Sequence, residues 1–302
     1  MSETYFERFR RQMDRMQFET LPLFNKPRFS WKLKTDYVGR RFVYRPSTES
    51  TMDDARRMLE RFRLGSGAVV LAETQTAGRG RAGRSWVSPP DVNLYFTLVI
   101  YAQPDGARPL AYVTPLAIAL AAEEMAAAAG RTLCADLKWP NDVLVGGKKL
   151  AGVLIETLET PSTGSGRGGG GEAVALIGIG INVNLDVAAY PEIADIATSL
   201  KEALGVEVAR EELLAAFCNH FEALYEQALA GNQAPFQAWR ERLVTLGREV
   251  VATGARETIR GVAVDVDEDG ALVIAQAGGR RVRVEAGDVT LSGRQDLTGT
   301  PG

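Results

Sequence analysis

The pattern of hydrophobic positions changes character near residue 247. Upstream, short apolar runs of strand length alternate with longer stretches whose apolar residues recur at helical spacing. Buried strands are predicted at 68–73, 93–100 and 173–183. Helices are predicted at 109–129, 211–230 and 234–246. Downstream, alternating strands typical of a small closed β-barrel are predicted at 249–252, 258–266, 271–274 and 280–285. The pattern therefore predicts an α+β domain over 45–246 and a small β-domain over 247–302.

Two stretches stand apart from these elements. Residues 1–44 mix charges with scattered aromatic side chains, including a strand-like run around Phe29 and Trp31. They are predicted to be an N-terminal extension, because they are too short for a DNA-binding winged helix and lack its paired-helix pattern. Residues 161–172 form a glycine tract too poor in side chains to pack. This tract is predicted to be a mobile surface insertion.

Composition narrows the class of protein. The 302 residues are 45% hydrophobic and 24% charged, as in a globular domain, and neither a signal peptide nor a membrane-length apolar run is evident. The expected compartment is the cytoplasm, with no membrane association. The net charge of −3 offers nucleic acid no global attraction, so any affinity for anions must be local.

The cysteine and histidine content of the chain argues against several kinds of metal and catalytic site. Cys134 and Cys218 are far apart and form no Cys-x-x-Cys pair, so neither a disulfide framework nor a thiolate zinc site is expected. Both are predicted to be small core residues. His220 is the only histidine, which argues against a histidine-rich metal centre and a Ser-His-Asp mechanism.

The strongest chemical signal lies between Glu73 and Trp86, directly after the strand predicted at 68–73. Within this segment, glycines alternate with arginines at Gly78, Arg79, Gly80, Arg81, Gly83 and Arg84. Glycines allow backbone N–H groups to face a ligand, and arginines supply forked, permanently charged donors for phosphate or carboxylate. The spacing matches neither a P-loop nor a complete dinucleotide-binding motif. The segment predicts an anion-binding loop, with an exposed basic turn as the alternative.

A second polar cluster lies in a predicted hairpin over 137–156, which turns at Gly146 and Gly147. Lys138 stands at the end of its first strand, where a lysine gains little from packing, although a surface lysine would also be accommodated there. Asn141 and Asp142 follow it, and Asn141 is a candidate polar ligand of the site. Both residues could instead serve only to open the hairpin.

Together these two segments resemble the catalytic core of the biotin protein ligases. That family carries a GRGRxGRxW loop and a KWPND…KLAGIL segment, and both occur here nearly intact and in the same order. The resemblance implies an α+β fold of the class II aminoacyl-tRNA-synthetase type, a mixed sheet with flanking helices, followed by an SH3-like β-barrel. It also implies ATP-dependent ligation of biotin to one lysine of a biotin carboxyl carrier protein through biotinyl-5′-AMP.

The resemblance further assigns residues to this reaction. Lys138 is implied to contact both the biotin carboxyl group and the α-phosphate, with Arg79 and Arg81 as the other catalytic cations. Trp86 has two open roles, covering the adenine or anchoring the loop to the core. Asn182 either lies near the adenylate or is a structural residue at a strand end. The implied ligand-binding set is Ser50, Thr51, Met52, Gln75, Gly78, Arg79, Gly80, Arg81, Arg84, Trp86, Lys138, Asn141 and Asn182.

Two members of this set depart from a simple assignment. Ser50 is implied to bind the biotin head group, yet it also precedes a predicted helix and is a candidate N-cap. Met52 stands where the family usually carries asparagine, so one polar side-chain contact is lacking, and backbone groups at the helix start are the alternative.

The expected cofactors and partners follow from the same resemblance. ATP, biotin and Mg²⁺ are implied, with the metal held by the ATP phosphates and not by a protein cluster. The expected macromolecular partner is the carrier domain of a carboxylase, DNA is not expected, and a homodimer is left open. Two rival functions remain, a lipoate or octanoate ligase and a non-enzymatic regulator that binds biotin or nucleic acid.

Overall fold

The computed structural model describes residues 24–62, 64–102, 104–159, 173–254, 258–285 and 287–291. The predicted glycine-rich insertion and most of the predicted N-terminal extension lie outside these ranges. The helices are α1 Lys26–Lys32, α2 Thr51–Phe62, α3 Pro104–Ala107, α4 Leu110–Ala128, α5 Leu200–Leu204, α6 Arg210–Leu229 and α7 Ala234–Glu241. The strands are β1 Phe42–Arg45, β2 Ala68–Ala72, β3 Leu94–Ala102, β4 Ala135–Lys138, β5 Asp142–Val145, β6 Lys148–Glu159, β7 Ala173–Ile181, β8 Glu249–Thr253, β9 Thr258–Val266, β10 Leu272–Ala275, β11 Arg281–Val284 and β12 Asp288–Leu291.

The larger sheet within the described residues has seven strands in the order β1-β2-β3-β7-β6-β5-β4. Only β1 and β2 pair in parallel, and the other neighbours are antiparallel. This mixed sheet with flanking helices confirms the predicted α+β class. The predicted hairpin is also confirmed, since β5 and β6 are joined by Gly146 and Gly147, both of which have positive φ.

The two faces of this sheet are covered by different helices. Helices α4 and α6 pack on one face, where Ile177, Ile179 and Ile181 of β7 enter the main core. Helix α2 packs on the opposite face, over a smaller cluster that includes Leu176 of β7. Helix α4 is long and apolar enough to cross a membrane by length and composition, but 67% of its apolar window is buried inside the protein. It is therefore accounted for as a core helix.

One predicted element has the wrong type. The strand-like run around Phe29 and Trp31 is helix α1. Asn25 caps it by accepting the Arg28 N–H at 3.0 Å, and a proline in the first turn favours a helix start. Phe29 packs against Phe42, whereas Trp31 is 81% exposed. The aromatic composition favoured a strand, but the capping residue and proline determined the local structure.

The smaller sheet is antiparallel and runs β11-β10-β9-β8-β12. Its first four strands in chain order were predicted, and β12 was not. The helix predicted at 234–246 ends early at Glu241, because the backbone that follows pairs with β4. The Leu137 N–H donates to the Arg242 carbonyl, and the Val244 N–H donates to the Leu137 carbonyl, both at 2.9 Å. This pairing covers an edge of the larger sheet.

The two cysteines differ in their surroundings. Cys218 is buried, as predicted, but Cys134 is exposed, so its prediction as a core residue was wrong. Cys134 lies between helix α4 and strand β4, in a connection that runs over the surface. His220 is partly exposed and hydrogen-bonds Glu124 at 2.8 Å, which fits a structural role.

Candidate active site

A cavity of about 550 Å³ lies on the α2 face of the larger sheet. Its walls come from the start of α2, the β5–β6 hairpin, the segment 193–197 and the segment between Glu73 and Trp86, which we call the arginine-glycine loop. Thr290 and Leu291 of β12 also line it, so the C-terminal sheet contributes to the same cavity. Apart from Gly78, every residue implied by the family resemblance lines this cavity.

The floor of the cavity is made by glycines on paired strands. Because side chains alternate across a sheet, Gly178 and Gly180 of β7 face the cavity while their isoleucine neighbours enter the core. Gly152 of β6 lies directly opposite Gly180. A Cβ atom added at Gly180 would come within 2.4 Å of the Trp86 ring, and one at Gly178 within 2.6 Å of the Met52 sulfur. The floor therefore depends on the absence of side chains.

Trp86 and Met52 cover this floor. The Trp86 ring lies against Gly152 and Gly180, an arrangement that anchors the end of the loop to the sheet. Its indole Nε1 is buried and has no hydrogen-bond partner among the described residues. A role of Trp86 against adenine stays a prediction. Met52 is 4% exposed and packs over Gly178, so the residue in place of the family's asparagine adds apolar surface.

One end of the cavity is polar and held in place by hydrogen bonds. Gln75 Oε1 accepts from the Thr51 N–H at 2.9 Å and from Thr51 Oγ1 at 3.2 Å. Thr97 Oγ1 donates to Thr51 Oγ1 at 2.9 Å from the neighbouring strand. Ser50 is buried, and its carbonyl accepts the Asp54 N–H in the first turn of α2. These groups present fixed donors and acceptors suited to a neutral polar ligand group.

The arginine-glycine loop is a narrow hairpin. Arg79 and Ser85 form an isolated antiparallel β-bridge. The Gly80 N–H donates to the Arg84 carbonyl at 2.7 Å, and the Trp86 N–H donates to the Gly78 carbonyl at 2.9 Å. Gly78 does not line the cavity. A Cβ there would lie 2.8 Å from both Ser88 Oγ and the Trp86 carbonyl, so this glycine permits close packing at the loop base.

The three arginines of the loop have different hydrogen-bond partners. Arg79 makes a two-point ion pair with Asp53 of α2, at 2.6 and 2.8 Å. This pair holds the pKa of the Asp53 carboxyl below its usual range. Arg81 donates to Asn141 Oδ1 and to the Gly287 carbonyl, both at 3.3 Å. Arg84 Nε donates to the Arg81 carbonyl at 3.2 Å. All three side chains line the cavity.

Lys149 also lines the cavity, although no role was predicted for it from the sequence. Its ammonium lies 2.7 Å from Asp142 Oδ1 and 5.3 Å from the centre of the Trp86 ring. Lys149 also lies against Gly152 on the floor. Asp142 fixes this ammonium by an ion pair. Lys149 and Asp142 thus place a held positive charge beside the floor.

The remaining predicted residues are distributed as follows. Lys138 lines the cavity, and its ammonium has no hydrogen-bond or ion-pair partner among the residues described here. Asn141 Nδ2 donates to the Val153 carbonyl, which aims its other amide atom at Arg81. Asn182 is 4% exposed, donates to the Thr198 carbonyl at 3.1 Å and accepts from Asn93 at 3.4 Å. These bonds indicate a structural task for the Asn182 side chain.

The chemistry available to the cavity follows from this arrangement. It offers a neutral polar end, an apolar glycine floor and a cationic side, which suits an elongated ligand that ends in an anion. Within the described ranges, no group of three His, Cys, Asp or Glu side chains is placed to bind a metal ion. The arginine and lysine side chains on the cationic side are suited to contact a bound anion.

Comparison with known proteins identifies the class of protein. Residues 44–169 match the Biotin/lipoate A/B protein ligase family, and residues 245–292 match the Biotin protein ligase C terminal domain. The biotin--[acetyl-CoA-carboxylase] ligase of Paracoccus denitrificans is 35% identical over 248 residues, which cover 82% of this chain and 98% of that protein. The bifunctional ligase/repressor BirA of Bacillus spizizenii is 30% identical over 262 residues, covering 86% and 76% respectively.

Solved structures agree with these matches. Biotin protein ligase from Aquifex aeolicus, in complex with biotin and ATP, superposes with a TM-score of 0.65 at 27% identity, covering 84% of this chain and 99% of that one. The chain belongs to the biotin protein ligase family. Its C-terminal sheet corresponds to the domain that this family carries after the catalytic core.

Proposed function

We propose that this protein joins biotin to ATP and then transfers the biotinyl group to one lysine of a biotin carboxyl carrier domain. The observation that carries the proposal is the single cavity that combines a polar end, a glycine floor and a cationic side. Membership of the family supports the ATP-dependent reaction with biotin. The carrier domain as acceptor is supported by the names of the relatives, which specify acetyl-CoA carboxylase.

In the first step, a carboxylate oxygen of biotin attacks the α-phosphorus of ATP, and pyrophosphate leaves. Two anions must approach each other, and negative charge builds on the α-phosphate, so fixed cations lower the barrier. Lys149, held by Asp142, is placed beside the floor for this task. Arg79, Arg81 and Lys138 line the same cavity and complete the cationic side. Mg²⁺ accompanying ATP would add positive charge to that of Arg79, Arg81, Lys138 and Lys149.

The polar end is proposed to bind the biotin head group. Thr51, Gln75 and Thr97 already form a linked set of hydroxyl and amide groups there. The ligand's aliphatic chain would then lie along the glycine floor between Met52 and Trp86, where apolar surface is available. This orientation directs the carboxyl group toward Lys149.

In the second step, the neutral amine of the acceptor lysine attacks the acyl carbon, AMP leaves, and the amine loses a proton to solvent. The mixed anhydride must be protected from water until the acceptor arrives. Arg81 joins the loop tip to Asn141 and to Gly287, so the loop covers one side of the cavity.

The proposed compartment is the cytoplasm, which is consistent with two cysteines that are both free thiols.

The substrate assignment is tested by pyrophosphate release from ATP with biotin, lipoate and octanoate in parallel. Biotin alone is expected to support release, followed by a mass increase of one biotinyl group on a purified carrier domain. Release with lipoate or octanoate alone would show that a different acid is the substrate. Release with none of the three would favour a binding protein without this activity.

A further inference from the structure

Asp53 contacts the arginine-glycine loop from outside the cavity. It lies in the first turn of α2, is not a cavity-lining residue, and accepts hydrogen bonds from both terminal nitrogens of Arg79. Two parallel hydrogen bonds fix the plane of a guanidinium as well as its position. Arg79 itself lines the cavity, so Asp53 determines how a cavity cation is presented.

The Asp53 carboxylate is itself held in place. Arg56, one turn further along α2, lies 3.4 Å from Asp53 Oδ1 and also forms an ion pair with Glu156 of β6. A chain of alternating charges therefore runs from the sheet through α2 to the base of the loop. Strand β6 also supplies Gly152 of the floor. The position of Arg79 is therefore fixed relative to the same strand on which a ligand would rest.

The ion pair between Arg79 and Asp53 is expected to contribute little to the stability of the fold. The Arg79 and Asp53 side chains are 40% and 26% exposed, and ion pairs at such positions contribute little to the free energy of unfolding. The pKa of Asp53 is lowered chiefly by the hydrogen bond from Arg79, with the neighbouring arginines adding to the effect. Asp53 therefore remains charged near neutral pH, where it orients Arg79 without a protonation step.

We propose that Asp53 is a positioning residue that holds the Arg79 guanidinium so that its remaining N–H groups face the anionic part of the ligand. This inference rests on the proposed function, since the anion concerned is the phosphate chain of ATP. Without the carboxylate, the arginine side chain keeps its charge but samples several rotamers, and ordering it again weakens nucleotide binding.

The test compares Asp53→Asn with Asp54→Asn, which removes an acid from the same helical turn. Asp54 pairs with Arg57 at 2.6 Å and does not contact the loop. The full chain is assayed for the KM for ATP in biotin-dependent pyrophosphate release, and for the Kd for ATP by calorimetry. Asp53→Asn is expected to raise both constants roughly tenfold, the scale of one oriented charged contact, and Asp54→Asn to leave both within about twofold.

Two further variants separate positioning from a structural role. In an Arg79→Ala background, Asp53→Asn is expected to cause no additional loss, whereas a structural role in α2 would persist there. Asp53→Glu is expected to recover part of the ATP affinity. Unchanged Kd and KM in Asp53→Asn, or an equal loss with and without Arg79, would overturn the inference. Wild-type protein that binds ATP but releases no pyrophosphate with biotin would refute the proposed function, and the Kd comparison would still decide the role of Asp53.

Discussion

The floor and the loop wall of the cavity are built on different physical principles. The floor consists of regular strand ladders that lack side chains at Gly152, Gly178 and Gly180, so its shape is set by the backbone. The wall consists of arginines whose positions are set by ion pairs and hydrogen bonds to other elements. Such contacts can be exchanged for a ligand anion, whereas a ladder cannot. Changes to the floor are therefore expected to cost more activity than changes to the wall.

The largest effect is expected for Lys149→Ala, which removes the cation held at the floor by Asp142. Biotinyl-adenylate formation should fall by roughly 10²–10³, the usual cost of losing one preorganised charge donor. Single-turnover assays with wild-type protein and the variant measure this directly. Lys148→Ala is the matched control, because the neighbouring ammonium donates to the Ala194 carbonyl and does not line the cavity.

Lys138 provides the comparison within this prediction. It lines the cavity without a fixed partner in the described part of the chain, so its ammonium must be ordered by the ligand. Lys138→Ala is therefore expected to lose only roughly tenfold in adenylate formation, a smaller electrostatic contribution than a held charge makes. A larger loss in Lys138→Ala than in Lys149→Ala would reverse the assignment of the principal lysine.

The case of Lys149 shows why the sequence predicted the fold better than the site. Strict alternation along β6 places Lys149 on the same face as Ala151 and Val153, which enter the main core. The ladder with β5 has a register shift at this point, pairing Val143 with Ala151 and Leu144 with Lys149. A bulge of this kind turns one residue to the other face. Its position depends on tertiary packing, so the pattern of apolar residues could not reveal it.

Other features of the molecule were predictable to different degrees. The strands and long helices followed from periodicity, since each buries a continuous apolar face. The contribution of Thr290 and Gly287 to the cavity side was not predicted, because the pattern of apolar residues predicts a separate domain over 247–302. Contacts between segments more than 200 residues apart carry no local signal. The capping signal at Asn25 was present in the sequence and was outweighed by aromatic composition.

Gly180→Ala tests the floor by shape alone. The added Cβ would meet the Trp86 ring at 2.4 Å, and the ring must move because the backbone beneath it is fixed by two ladders. Adenylate formation is expected to fall roughly tenfold as Trp86 and the loop end are displaced. Gly65→Ala is the control, since its nearest atoms belong to the mobile end of Arg41 at 3.4 Å. Equal activity of the two variants would refute the role of the glycine floor.

Arg81→Ala tests the wall at its tip. This arginine links the loop to Asn141 and to the Gly287 carbonyl. Its removal is therefore expected to loosen the loop that covers the intermediate. Free biotinyl adenylate is expected to leak severalfold faster, while its rate of formation falls less than in Lys149→Ala. Arg81→Lys keeps the charge but not the forked geometry and should leak nearly as fast. Quench experiments that separate free from bound adenylate measure the difference, and equal retention would contradict the covering role.

The smallest effect is expected at the root of the loop, where Asp91 tests stability alone. Asp91 and Glu73 stand at opposite ends of the connection between β2 and β3. Burial, and then the negative charge of Glu73, raise the pKa of the Asp91 carboxyl. A raised folded-state pKa means that Asp91 lowers the free energy of unfolding as pH rises from the unfolded-state pKa to the folded-state pKa, and the deficit is complete above the folded-state pKa.

Asp91→Asn should therefore raise the free energy of unfolding at pH values above the folded-state pKa of Asp91 and give no advantage in acid, below the unfolded-state pKa. Solvent screening keeps the gain small, because Asp91 is only partly buried. Asparagine also tolerates the left-handed backbone at this position, where φ is 67°. Denaturant unfolding of both proteins at the two extremes of pH measures the difference. A gain of equal size at both would assign the effect to packing. Because the floor and its cations are untouched, adenylate formation by Asp91→Asn should match that of the wild-type protein.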